Sequence, residues 1–254
     1  MRVIAGPEKK TRLLSEQERK ITAYHEMGHA LVGHYLDQDA EVHKISIISR
    51  GQALGYTISL PREDRYLTTK SSLLDELAAA LGGRAAEELV FNEVTTGAAN
   101  DIEKVTHTAK QMIMRYGMSE KLGPRVLGRN QDLPFLGREM ASEPDYSEEL
   151  ARDIDEEIHR VIEDAHVRAR NVLEEHADEL HRLSGILVER ETIDKDQFLR
   201  LLDGAAEEEV FPEELAEPAE VETPKADRRK RLPKPKPFPL PGQAMQPPPE
   251  GAKS

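Results

Sequence analysis

Residues 23–30 read AYHEMGHA, and this stretch decides how the first part of the chain folds. Ser15 followed by Glu18 is a capping-box pattern, which predicts that a helix begins there and runs to about Leu36. His25 and His29 are four residues apart, so both imidazoles lie on one helix face about one turn apart. Apolar residues flank the pair on both sides, and we therefore expect this helix to be buried.

A His-Glu-x-x-His pattern inside a helix predicts a metal site that carries out hydrolysis. Both imidazoles can reach one ion at about 2.0–2.1 Å. Glu26 is adjacent to His25, close enough to hold a water at such an ion. Zinc acidifies that water, and the glutamate accepts the proton as the water attacks a carbonyl. The alternative is two histidines on an ordinary polar helix face, and the apolar flanks favour the metal site.

A catalytic zinc needs a third protein ligand and an open fourth position. Several acidic and histidine side chains offer the right donor atoms: Asp101, Glu87, Glu88, His34, His43 and His107. Glu87 and Glu88 fall late in a second predicted helix. Asp101 falls in the first turn of a third predicted helix, where a carboxylate commonly compensates the helix N-terminus. Spacing alone leaves the choice between Asp101 and the two glutamates open.

Two short β-branched segments, residues 42–51 and 54–61, follow the histidine helix and predict a pair of strands. A protease with little sequence preference can bind substrate by adding it as a strand to an exposed sheet edge. The candidate edge consists of Gly55, Tyr56, Thr57, Ile58 and Ser59. The alternative is an ordinary core hairpin.

The rest of the folded part is predicted to be helical, so the fold class is mainly α with a small β-sheet near the metal helix. Apolar periodicity predicts a second helix from Thr68/Thr69 to about Val90, a third helix that follows Gly97-Ala98 and ends near Gly117, and a long helix from Ser147 onwards. Asp194 caps a short final helix. The Gly82-Gly83 pair lies within a helical pattern and is expected to mark a helix–helix contact.

Composition divides the 254 residues near Gly204 into a predicted metallopeptidase domain, 1–204, and a tail, 205–254. The tail holds 11 of the 16 prolines and runs from an acidic stretch into a basic one. Such a segment buries too little apolar area to offset its ordering entropy, so we expect it to be disordered.

The same composition excludes several classes of protein. A formal charge of -13 repels phosphates and argues against nucleic-acid binding. With no cysteine, disulfides, thiolate metal sites and a cysteine nucleophile are excluded. There is no P-loop pattern, so no nucleotide site of that kind is expected. No apolar run is long enough to span a membrane, and the chain as given is expected to be soluble.

Further motifs accompany AYHEMGHA in a fixed order along residues 1–203. They are RVIAGPEKK (2–10), VHKISI (42–47), ALG (53–55), GGRAAEE (82–88), TGAANDI (96–102) and YGMSEKLG (116–123). Together these motifs resemble the FtsH family of membrane-bound, ATP-dependent zinc proteases. Met27 stands where alanine is more usual, at a position that is not a ligand.

The resemblance implies a zinc endopeptidase in which His25, His29 and Asp101 hold the metal and Glu26 is the general base. It assigns Glu87 and Glu88 to supporting or packing roles. It also implies homo-hexamers that degrade misfolded membrane and soluble proteins as unfolded polypeptides, at the cytoplasmic face of the cell membrane. Membrane spans and an AAA ATPase module are expected upstream in the native protein.

Two other interpretations compete with this one. The first is a free-standing metallopeptidase with the same site chemistry. The second is a non-catalytic helical module with a closed structural metal site, in which His34, His43 or His107 supplies a fourth ligand. An open coordination position distinguishes the peptidases from the closed module.

Overall fold

The structure, a computed structural model, describes residues 15–36, 40–49, 54–61, 67–128 and 146–212. Several parts of the sequence predictions lie outside these ranges: the motif at 2–10, residues 50–53 at the junction of the two predicted strands, and the tail beyond 212. The described residues belong to one compact unit that ends at Pro212.

Helices account for most of the described residues, which confirms the predicted fold class. The helices are α1 (Glu16–Tyr35), α2 (Lys70–Phe91), α3 (Ala99–Met114), α4 (Glu148–Glu175), α5 (Ala177–Arg190), α6 (Lys195–Leu202) and α7 (Glu207–Val210). The strands are β1 (Ala40–Ser46), β2 (Tyr56–Pro61) and β3 (Thr192–Asp194), and a short 3-10 turn at Thr96–Ala98 leads into α3.

The helix starts follow the capping residues of the sequence. At α1 the complete capping box is formed, because Ser15 accepts from the Glu18 amide and Glu18 accepts from the Ser15 amide. Asp194 and Gln197 form the same reciprocal pair at α6. Each cap satisfies backbone N–H groups that have no partner within the helix. The predicted starts of these helices are therefore confirmed.

The three strands form one antiparallel sheet in the order β2-β1-β3. The predicted pairing of the first two strands is confirmed, with an irregularity at His43, between Val42 and Lys44. The third strand was not predicted, since three residues between two helices are too few to show a period. It is held by pairing of the fully buried Ile193 with Ile45.

Helices α1 and α2 approach each other closely where both carry glycine. A Cβ at Gly28 would lie 2.4 Å from the Gly82 carbonyl oxygen, and a Cβ at Gly82 would lie 2.6 Å from the Gly28 carbonyl oxygen. No side chain fits between backbones at this distance. The predicted helix–helix contact at Gly82 is confirmed. This contact places the face of α1 that carries the two histidines next to α2.

The folded part extends beyond Gly204, where the sequence interpretation placed the start of the tail. Residues 207–210 form α7, and Val210 is buried in the core. Arg190 on α5 pairs with Glu207 and lies over the ring of Phe211. Residues 205–212 thus pack on the domain, because Val210 is buried in the core and Phe211 contacts Arg190. None of the helices in the described ranges combines the length and the hydropathy that a membrane span requires.

Candidate metal centre

Three hydrogen-bond acceptors from two helices converge on one point. The Nε2 atoms of His25 and His29 lie 3.1 Å apart. The Oδ2 atom of Asp101, at the start of α3, lies 3.3 Å from the first and 3.5 Å from the second. His25 is buried, and the other two residues are partly exposed.

The Nδ1 atom of each of the two imidazoles lies within hydrogen-bond distance of an acceptor, and this fixes the tautomer of the ring. His25 Nδ1 lies 2.7 Å from Glu87 Oε1, and His29 Nδ1 lies 2.8 Å from the Ala79 carbonyl oxygen. The Gly83 amide nitrogen is also near His29 Nδ1, at 3.3 Å, but the carbonyl is closer and can only accept. We therefore assign Nδ1–H to both rings. When the rings are neutral, both Nε2 atoms then present lone pairs to each other and to a carboxylate.

This donor set fits zinc. With zinc–ligand bonds of about 2.0–2.1 Å and tetrahedral angles, neighbouring ligand atoms lie roughly 3.3 Å apart. The three observed separations, 3.1, 3.3 and 3.5 Å, bracket that value. Two neutral imidazoles and one carboxylate leave a fourth position for water or substrate, as in catalytic zinc sites.

The electrostatics of the site also favour a cation. Burial opposes charge on His25, but hydrogen bonds to Asp101 and Glu87 outweigh it and raise the pKa of His25 to about 10. Asp101 shows the reverse: burial favours its neutral form, yet the two histidines hold its pKa well below the usual range. A positive charge among these groups is strongly stabilised, whether a proton or a metal ion carries it.

Glu26 lies next to this centre with its carboxylate held between α1 and β2. Thr57 Oγ1 donates to Glu26 Oε2 at 2.7 Å. Burial raises the pKa of Glu26, while the charges of His29 and His25 and the Thr57 hydroxyl oppose the shift. A carboxylate with a raised pKa is a stronger proton acceptor, as a general base requires.

Gly83 on α2 lies directly behind the two histidine rings. A Cβ at this position would come within 2.6 Å of Nε2 of both His25 and His29. The second glycine of the Gly82-Gly83 pair therefore has its own role, which is to leave room for the ligand nitrogens. The sequence interpretation assigned both glycines to helix contact.

The other candidate ligands lie elsewhere. Glu87 contacts Nδ1 of His25, on the far side of the ring from Asp101. Glu88 points away, to Arg84 and His166. The remaining histidines also lie outside the group formed by His25, His29 and Asp101: His34 packs against Phe198, His43 is exposed on β1, and His107 neighbours Gln111. None of these three supplies the fourth ligand of a closed structural site.

The predicted substrate strand is an outer strand of the sheet. Tyr56, Thr57, Ile58 and Ser59 belong to β2, and Gly55 immediately precedes it. In the described part of the chain β2 pairs with β1 on one side only. A Cβ at Gly55 would lie 2.7 Å from Glu26 Oε1, so this end of the strand is in direct contact with the metal helix.

At the centre, sequence reasoning missed the Thr57 hydroxyl on Glu26, and it gave Glu87 a supporting or packing role without identifying its contact with His25 Nδ1. The first contact had no signal in the spacing, because it joins α1 to β2 between residues 31 apart. The second contact had none either, because Glu87 and Glu88 differ only by a rotation about the helix axis.

Comparison with known proteins agrees with this geometry. The profile of peptidase family M41 matches residues 12–201. The chain is 62% identical over 244 residues to "ATP-dependent zinc metalloprotease FtsH 1" of Conexibacter woesei, covering 96% of this chain and 37% of the relative. It is 51% identical over 208 residues to the FtsH of Rubrobacter xylanophilus, and 49% over 203 residues to that of Bacillus subtilis. These two alignments cover 82% and 80% of this chain, and 32% of each relative. The chain spans about a third of the length of these relatives.

Proposed function

This chain belongs to peptidase family M41 as an FtsH-type zinc metallopeptidase domain, and we propose that it hydrolyses peptide bonds at the centre formed by His25, His29 and Asp101. The observation that carries the proposal is the convergence of three acceptor atoms within 3.1–3.5 Å, with Glu26 beside them. Such an arrangement needs a cation, and it leaves one position open for chemistry.

The residues of the chain then have distinct roles. His25 Nε2, His29 Nε2 and Asp101 Oδ2 hold the metal. When bound, zinc supplies a Lewis acid that polarises the substrate carbonyl and lowers the pKa of the attacking water. Glu26 accepts the proton of that water and returns it to the leaving amine. Glu87 and the Ala79 carbonyl keep the two imidazoles in the Nδ1–H tautomer and fix their orientation.

We propose unfolded polypeptide as the substrate, bound by strand addition to β2. The outer position of β2 in the sheet and its contact with Glu26 support this role, because an added strand passes close to the proton acceptor. Main-chain pairing gives affinity with little sequence preference. Gly55, Tyr56, Thr57, Ile58 and Ser59 supply the backbone groups.

For the whole protein we propose ATP-dependent proteolysis in a homo-hexamer anchored at the cytoplasmic face of the membrane. The relatives are named ATP-dependent zinc metalloproteases and this chain covers about a third of their length, which supports the ATP dependence. An ATPase module supplies the unfolding work. The chain as given is then expected to cleave unfolded polypeptides without ATP and to leave stably folded proteins intact.

Zinc content and cleavage of an unfolded protein test the proposal together. The 254-residue chain, loaded with zinc, is expected to hold about one ion and to cleave an unfolded protein. A chelator removes the activity and zinc restores it. Asp101→Asn is expected to lose both zinc and activity, since an amide oxygen is a weaker ligand. Glu103→Gln removes a charge from the exposed face of the same helix and serves as the matched control.

The proposal is overturned if the zinc-loaded chain does not cleave. It is also overturned if Asp101→Asn keeps both zinc and activity, because the third ligand would then lie elsewhere.

A further inference from the structure

The Thr57 side chain makes a contact that strand addition does not use. Thr57 Oγ1 lies 2.7 Å from Glu26 Oε2 and 3.1 Å from the Glu26 backbone oxygen. A hydroxyl has one proton, and the shorter, charge-assisted contact is the stronger one. Substrate pairing requires only the backbone of this strand, so the side chain is available for another role.

The bond fixes which carboxylate oxygen of Glu26 stays available. Oε2 accepts from Thr57, whereas Oε1 lies beside Gly55, where a Cβ would come within 2.7 Å of it. Gly55 immediately precedes β2 and Thr57 lies within it, and both are next to the Glu26 carboxylate. One of them binds an oxygen of the carboxylate, and the other leaves room for the second oxygen.

We propose that Thr57 is a positioning residue for Glu26: its hydroxyl holds Oε2 and thereby presents Oε1 to accept the proton of the attacking water. This inference rests on the proposed function, because it assumes that Glu26 is the general base. It changes the role of Thr57 from a strand position that contacts substrate to one that also orients the proton acceptor.

The physical reason lies in the burial of Glu26, which is 7% exposed. A buried carboxylate oxygen without a donor is costly, so the side chain would rotate to find one. Proton transfer depends on geometry, and a misplacement of about 1 Å lowers the rate strongly. The hydroxyl removes the cost at Oε2 and keeps the carboxylate in one orientation.

The test compares Thr57→Val with Thr57→Ser in the zinc-loaded chain, with an unfolded peptide as substrate. Valine keeps the shape and removes the donor, so kcat is expected to fall about tenfold or more, as for other outer partners of metal sites. KM and zinc content are expected to stay as in the parent. Serine keeps the donor and is expected to restore kcat to within about threefold. Thr192→Val removes a hydroxyl at the far edge of the same sheet, where Thr192 bonds Ser46, and is the matched control.

Several outcomes overturn the inference. Thr57→Val with the kcat of the parent shows that the hydroxyl is not needed. A raised KM at unchanged kcat assigns Thr57 to substrate binding instead. A loss in Thr57→Ser as large as in Thr57→Val shows that the methyl group, and not the donor, is what matters.

A second measurement, without zinc and without substrate, separates this inference from the proposed function. In urea unfolding of the zinc-free chain, Thr57→Val is expected to lower the midpoint in the parent and to lower it clearly less in a Glu26→Ala background. Equal shifts in both backgrounds overturn the inference. If the parent does not cleave, the proposed function fails, and this cycle still decides whether Thr57 holds Glu26.

Discussion

Glu26 and Glu157 are both buried glutamates on long helices, and their surroundings give them opposite properties. Glu26 is 7% exposed, accepts from the neutral hydroxyl of Thr57, and has a raised pKa because of burial. Glu157, on α4, is 5% exposed. The Nε and Nη2 atoms of Arg160 each donate to a carboxylate oxygen of Glu157 at 3.0 Å, and these bonds lower the pKa of Glu157 to about 2.

The difference shows that, at similar burial, the charge of the partner decides in which direction the pKa of a carboxylate moves. Glu157 also accepts from Ser119, so it ties the segment after α3 to α4 through a permanently charged network. At the metal centre the donor that the described residues offer to Glu26 is the neutral Thr57 hydroxyl, at Oε2. A carboxylate paired with arginine is a poor base, whereas one with a neutral donor remains ready to accept a proton.

Exchange of the two glutamates for glutamine is expected to give the largest contrast. Glu26→Gln should lower kcat about 10²–10⁴-fold with zinc content unchanged, because the amide cannot accept the proton. Glu157→Gln, measured alongside at a temperature where both variants are folded, should keep the kcat of the parent. Steady-state cleavage of an unfolded peptide checks both values. Equal activity losses in the two variants would contradict the comparison.

The pH dependence of the free energy of unfolding should give the second-largest effect and should distinguish Glu157 from Glu26. The pKa of Glu157 is lowered on folding, so its contribution is fully present above the unfolded value and is lost as pH falls towards 2. We expect Glu157→Gln to lower the free energy of unfolding by at most about 3 kcal/mol at pH 7, because the half-exposed Arg160 makes the pair weaker than the full pKa shift implies. As pH falls below 4.5 the difference between the parent and the variant should shrink, and it should vanish near pH 2. Urea unfolding between pH 7 and pH 3 measures the difference, and a constant difference across this range would contradict the assignment.

Glu87 tests a third arrangement, a buried carboxylate paired with a metal-binding imidazole. Although burial favours its neutral form, hydrogen bonds from His25 and Thr95 hold the pKa of Glu87 below its ordinary value. Glu87→Gln should weaken zinc binding about 10–100-fold, because the amide orients His25 less firmly. Competition with a zinc chelator measures the affinity. Glu88→Gln, one residue along the same helix, is the control and should bind zinc as the parent does.

The smallest expected effect is at Ser119, which is 3% exposed. Its hydroxyl donates to Glu157 and accepts from the Leu122 amide. Ser119→Ala should lower the free energy of unfolding by about 1–2 kcal/mol, less than Glu157→Gln, because Arg160 still satisfies the carboxylate. The same urea experiment at pH 7 measures it. A loss larger than that of Glu157→Gln would show that the serine, and not the arginine, dominates the network.

The starts of the capped helices could be predicted from the sequence, whereas short elements held by distant contacts could not. The starts of α1, α4 and α6 follow from Ser15, Ser147 and Asp194, because a cap is a contact between residues three apart. Strand β3 and helix α7 escaped prediction, because each is too short to show periodicity and is held by distant partners such as Ile45 and Arg190.

At the site, the sequence by itself determined that His25, Glu26 and His29 share one helix turn, since helical spacing is local. Spacing left open which carboxylate joins the two Nε2 atoms, and the resemblance pointed to Asp101; the tertiary structure shows how, because α3 carries Asp101 back to α1, 72 residues after His29. It also decided that Glu87 lies behind His25 and that Thr57 holds Glu26. These contacts depend on the close crossing of α1 with α2 at Gly28 and Gly82, and on the position of β2 against α1. The spacing of residues in the sequence cannot predict the helix crossing or the position of β2, since both arise from the packing of separate elements.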